Sequence, residues 1–124
     1  MDKFKVICLC GSTRYKNAFM CENKRLTLEG NIVISVGCFG HADNLKFEPG
    51  QKELLDEIHL AKIDMADEIF VINMYGYIGK STAREIEYAE QNDKTVRYLE
   101  ECDVCADARP AAPGASVCVD CLED

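Results

Sequence analysis

Glu85 follows Gly79, Lys80, Ser81 and Thr82 by a few residues, so a carboxylate able to attack carbon stands just after residue types that hold phosphate. Glycines let backbone N–H groups close on an anion, lysine adds charge, and hydroxyls donate. In the stretch "NMYGYIGKSTAREIEYA", Asn73 to Ala89, an apolar run ends at Met74, a loop with two glycines follows, and a helix is expected to begin near Ser81. Two readings of Glu85 stand side by side. "TARE" fits a capping box, with Thr82 as N-cap and Glu85 reaching back to the Thr82 N–H. Yet Thr82, Glu85, Ile86 and Ala89 share one sector of the helix. If Ile86 and Ala89 face the sheet, Glu85 lies at the edge of the buried stripe and overlooks a cleft. There a carboxylate serves as a nucleophile or a proton acceptor. The loop is not an NTPase P-loop, because it lacks the G-x-x-x-x-G-K-[ST] spacing and follows the third apolar strand rather than the first.

A second loop of unusual composition is Gly11, Ser12, Thr13 and Arg14 in "CGSTRYK". Free N–H groups at a helix start, with Arg14 as a charged fork, would make an anion site. Ser12 or Thr13 as a plain N-cap is the alternative.

Eight cysteines fall into two groups. Cys8, Cys10, Cys21 and Cys38 lie in or beside apolar segments and read as buried thiols behaving as small hydrophobes. Cys102, Cys105, Cys118 and Cys121 form two CxxC pairs separated by twelve residues. Two such knuckles present four thiolates tetrahedrally, the arrangement of a closed structural zinc site. Some twenty residues with few large apolar side chains need such a staple in order to fold. Two disulfides or four free thiols are the competing readings. Redox chemistry fits less well, since neither pair opens a helix.

The elements that must position these residues follow from periodicity. "KFKVICLC", "NIVISVG", "DEIFVINM" and "TVRYL" are strand-like, and the first is apolar on both faces. "YKNAFMCENKRLTLEG" reads as a helix with Tyr15, Phe19, Leu26 and Cys21 inward. "QKELLDEIHLAKIDMA" places Leu54, Leu55, Ile58, Ala61 and Met65 at helical spacing. "STAREIEYAEQND" is the third helix. The alternation predicts an α/β domain over 1–100: a doubly wound, mostly parallel sheet of four to five strands, flavodoxin- or Rossmann-like. A small zinc-ribbon tail would occupy 101–124. In such a sheet ligands bind beyond the carboxyl ends of the strands, so the two loops are expected to line one cleft.

The formal net charge is −8, of which residues from Glu101 onward carry −5. That sign disfavours nucleic acid as a partner. No run is long and apolar enough to cross a bilayer. The start "MDKFKVICLC" does not read as a signal peptide, so a cytoplasmic location is expected.

"CGSTR", "KIDMADEIFVIN" and "GYIGKSTAREIEYA" together resemble the nucleoside 2-deoxyribosyltransferase superfamily, which includes the 2'-deoxynucleoside 5'-monophosphate N-hydrolases. The similarity spans approximately Lys5 to Leu99. It implies cleavage or exchange of the N-glycosidic bond of a nucleoside or nucleoside monophosphate, with no organic cofactor. Glu85 matches the family's nucleophilic glutamate, which attacks C1' of the sugar. Gly11, Ser12 and Arg14 match its sugar-binding segment, and Gly79 to Thr82 its phosphate loop. The family usually has an aspartate eight residues before the aspartate of "AD". Counting back from Asp67 gives His59, which is either a proton donor to the leaving base or a helix residue without a role. His41 lies in a loop that nothing in the sequence fixes. Family members are commonly homo-oligomers, a state the tail would serve by stabilising a dimer. A non-catalytic nucleotide-binding or sensing domain, whose ribbon contacts a protein partner, is the alternative. A third reading makes the ribbon an adaptor on an inert scaffold.

Overall fold

The computed structural model describes residues 4–101 and 110. In chain order the elements are β1 (Val6–Gly11), α1 (Lys16–Leu28), β2 (Ile32–Ile34), α2 (Gln51–Asp64), β3 (Glu68–Ile72), α3 (Lys80–Gln91) and β4 (Thr95–Tyr98). A single 3-10 turn at Met74–Gly76 lies between β3 and α3. All strand pairs are parallel, in the order β2-β1-β3-β4. The architecture is therefore the α/β, flavodoxin- or Rossmann-like one that the alternation predicts, with four strands among the described residues. None of the helices among the described residues is long and apolar enough to cross a membrane.

Because side chains alternate along a strand, β1 feeds two cores. Ile7 and Leu9 pack with Phe19 and Leu26 of α1 and with Ile72 on one face. Cys8 and Cys10 pack with Ile63 of α2 and Ala89 of α3 on the other. The chain leaves β1 toward β2, then crosses back to pair β3 on the opposite side. That reversal opens a crevice between the carboxyl ends of β1 and β3.

Side-chain amides and carboxylates extend the ladders at both ends of the sheet. At the amino ends, Asp67 gives its N–H to the Val6 carbonyl at 2.8 Å, and its Oδ2 accepts the Val6 N–H at 2.9 Å. At the carboxyl ends the fully buried Asn73 uses both halves of its amide: Nδ2 donates to the Glu100 carbonyl at 2.9 Å, and Oδ1 accepts the Glu100 N–H at 2.8 Å. Asn73→Ala strands both backbone groups. It is expected to cost about 2–3 kcal/mol, read as a lower urea midpoint at unchanged m; an unshifted midpoint would show that water replaces the amide.

Tyr98, 8% exposed, closes β4 beneath α3. Burial, then the charges of Glu90 and Glu101, push its phenol up to about 12 from 10.0. A raised pKa means that the folded state favours the neutral phenol. The resulting stability is complete below about pH 10 and is lost as pH rises through about 12, amounting to about 2 kcal/mol. Tyr98→Phe should flatten the stability profile across that window; a profile as steep as wild type would assign the loss to other groups.

The structure departs from the sequence expectation in three places. On α2, the stripe Leu54, Leu55, Ile58, Ala61 and Met65 does not face the core. Leu54, Ile58 and Met65 are 53%, 41% and 71% exposed, Ala61 is exposed, and His59 and Ile63 are the buried residues. Apolar residues spread round most of this helix, so periodicity alone does not select the arc that meets the sheet. A shift of one residue turns the face by about 100°. On α1, Phe19 and Leu26 are buried as expected, but Cys21 is exposed and Tyr15 half-buried. Cys38 is half-buried, so only Cys8 and Cys10 of that group are core thiols.

Candidate functional site

The β1 loop begins at Gly11, whose φ of +149° is unfavourable for other residues. A Cβ there would lie 2.8 Å from the Ile72 carbonyl oxygen. The glycine therefore serves the close approach of β3 rather than that of a ligand. Beyond it, the Tyr15 N–H donates to the Ser12 carbonyl at 3.2 Å, and the Arg14 N–H reaches the Ser12 hydroxyl at 3.4 Å. The N-cap of α1 is Tyr15, without a side-chain cap, so neither Ser12 nor Thr13 fills that role. Thr13 instead holds a second loop in place: its hydroxyl meets His41 Nδ1 at 2.9 Å and accepts the His41 N–H at 3.2 Å. His41, which nothing in the sequence secures, is thus tied to the β1 loop. Arg14 lies over the Tyr77 ring, 5.2 Å from its centre, and joins the two loops at the cavity mouth.

The β3 loop turns through Tyr75 and Gly76, both left-handed at φ 57° and 80°. Gly79 is the N-cap of α3, and helical geometry starts at Lys80. Thr82 is then the third helical residue and Glu85 the sixth. This overturns the capping-box reading, since no side-chain cap bond is made at this end. The N–H groups of Lys80, Ser81 and Thr82 belong to the first turn, where intrahelical acceptors are missing, and they face the cavity end of the helix. Thr82 and Ala89 are buried and Glu85 and Ile86 half-buried, the sector that helical spacing predicts.

A cavity of about 510 Å³ fills the crevice. Gly11, Ser12, Thr13, Arg14, Gly79, Lys80, Ser81, Thr82, His59 and Glu85 all line it. Lys52, Asp56 and Lys62 of α2 join them, with Phe47 and Leu55 on the apolar side. Lys62 donates to the Ser35 carbonyl at 2.8 Å, and Lys52 pairs with Asp56 at 3.5 Å. These α2 cations have no sequence signal, because a lysine on an amphipathic helix ordinarily points to water. Only the rotation of α2 brings them to the rim.

Beneath the cavity lies a buried polar group. His59, 7% exposed, approaches Cys10 Sγ at 3.3 Å and Cys8 Sγ at 3.8 Å through Nε2. The same nitrogen is 3.7 Å from Glu85 Oε1. His59 is therefore not an exposed helix residue, and Cys8 and Cys10 are not merely packing groups. Among the described residues these three place their donor atoms within 4.8 Å of one another, close enough to bind one metal ion.

Burial pushes the Glu85 carboxyl above its ordinary range, with Cys8 adding to the rise and His59 opposing it. Burial disfavours the charged His59 ring, but the Cys8 hydrogen bond and the Glu85 charge outweigh it and hold His59 above its ordinary value. The Cys10 thiol, then His59, draw Cys8 down; contact with Cys8, together with burial, pushes Cys10 up. A carboxyl, an imidazole and two thiols that shift one another's protonation thus lie beside a cavity of about 510 Å³, a volume in the range of small-molecule sites. Cys102, Cys105, Cys118 and Cys121, the expected zinc ligands, lie outside the described residues. No protein-family model matches the chain, and no curated protein does.

Proposed function

We propose that this chain cleaves or exchanges the N-glycosidic bond of a nucleoside or nucleoside 5'-monophosphate, as the resemblance to the nucleoside 2-deoxyribosyltransferase superfamily implies. The observation that carries the reading is the position of Glu85: on the wall of the cavity, 3.7 Å from His59, and released from any capping duty. Both glycine-bearing loops open on the same cavity, so one end of a substrate meets cations and free N–H groups while its anomeric carbon faces the carboxylate.

In this reading a Glu85 oxygen attacks C1', and the electrons of the C1'–N bond leave with the base, which takes a proton from His59. Water, or the N–H form of a second base, then attacks C1' of the glycosyl ester, returns a proton to His59 and restores the carboxylate. Lys52, Lys62 and Lys80 supply positive charge for a 5'-phosphate. The same proposal keeps Cys102, Cys105, Cys118 and Cys121 as ligands of a structural zinc ion, and a cytoplasmic location.

Chromatography for free base, run over a panel of nucleosides and monophosphates, tests it. Release of one base class, faster from the monophosphate, is the expected result. Tight binding of a monophosphate with no release from any substrate would instead make the chain a nucleotide-binding domain.

A further inference from the structure

Cys8 and Cys10 are two apart on β1, so their side chains leave the same face of the sheet. The ladder to β3 holds the backbone of both residues, and the ladder to β2 that of Cys8 as well. His59 descends on them from α2, and all three residues are buried. A tetrahedral ion with metal–sulfur bonds of about 2.3 Å and metal–nitrogen bonds of about 2.0–2.1 Å requires sulfur–nitrogen separations of roughly 3.5–3.6 Å. The observed separations, 3.3 Å for Cys10 and 3.8 Å for Cys8, fall on either side of that value.

We propose that Cys8, Cys10 and His59 bind one divalent, thiophilic metal ion such as zinc at the floor of the cavity. Two thiolates and an imidazole suit zinc, and the oxygen-seeking ions magnesium and calcium poorly. Three protein ligands leave one tetrahedral position free, the pattern of reactive rather than closed structural zinc sites. Of the three ligands His59 lines the cavity, and Glu85 Oε1 on the same wall is 3.7 Å from its Nε2, so water or a bound molecule would reach the ion from that side. This site is distinct from the four tail cysteines and does not rest on the glycosidase reading. A bound ion takes the Nε2 lone pair, which turns His59 from a proton carrier into a ligand. The two states, stripped and loaded, are therefore chemically different.

Cobalt(II) titration of the reduced, chelator-stripped full-length chain tests the site, because tetrahedral cobalt bound by thiolate absorbs intensely in the visible and near ultraviolet. The decisive variant replaces Cys102, Cys105, Cys118 and Cys121 with Ser. It should bind one equivalent of cobalt with a thiolate charge-transfer band. In that background Cys10→Ser or His59→Gln should weaken binding by at least about tenfold. A tail variant with wild-type circular dichroism and no cobalt–thiolate band would overturn the proposal. Should the tail variant fail to fold, stoichiometry decides. Wild type should then take up one equivalent more than Cys8→Ser/Cys10→Ser, and equal uptake would refute the site.

Discussion

Replacing Glu85 with Gln is expected to lower base release by at least about a thousandfold while leaving the fold intact. The amide keeps the shape of the side chain but cannot form the glycosyl ester, so the effect falls on the chemical step. Stability should hold, because Glu85 is the sixth residue of α3 and makes no capping bond. It should even rise slightly, since the buried carboxylate is held in a place that favours its neutral form. The measurement pairs single-turnover base release with thermal unfolding of the same sample. Full activity in Glu85→Gln would remove the nucleophile from the mechanism. Loss of activity together with a large drop in Tm would return Glu85 to a structural role.

The second large effect concerns the sheet. Gly11→Ala should cost about 3 kcal/mol or more, a large share of the roughly 5–15 kcal/mol that ordinarily holds a domain folded. Its added Cβ meets the Ile72 carbonyl oxygen at 2.8 Å and the Ile72 Cβ at 3.2 Å, at a φ of +149°. Both neighbours belong to the central β1–β3 pair, in which Gly11 is in register with Ile72, so neither yields without breaking the ladder. Gly37→Ala is the control: nothing lies within 4 Å of the new carbon, and a change within about 0.5 kcal/mol is expected. Urea unfolding of the two variants separates them. Equal midpoints would mean that the β1 end relaxes and that Gly11 carries no packing constraint.

Much of this arrangement is legible from local pattern. Strands apolar on both faces, alternating with helices, allow little besides a parallel sheet with crossovers. That sheet then dictates that the loops after β1 and β3 meet. The sector shared by Thr82, Glu85, Ile86 and Ala89 also follows from spacing, since α3 is apolar on one side only. Where local pattern is ambiguous, it misleads. The letters "TARE" describe a capping box, but the helix starts three residues earlier, at Lys80, because Gly79 takes the extended conformation of an N-cap.

What the sequence by itself determined is the order of the elements, the strand ends at which a ligand would sit, and the two loops that line the crevice. These depend on neighbours within a few residues along the chain, where period and glycine placement carry the information. The tertiary structure alone decided which arc of α2 meets the sheet, and so whether His59 is a solvated histidine or a buried one. With that rotation His59 reaches two thiols 49 and 51 residues away and a carboxylate on another helix. No local period encodes such a meeting. It is set by how Ile63 and its neighbours pack against β1 and β3, and packing is a property of the assembled core.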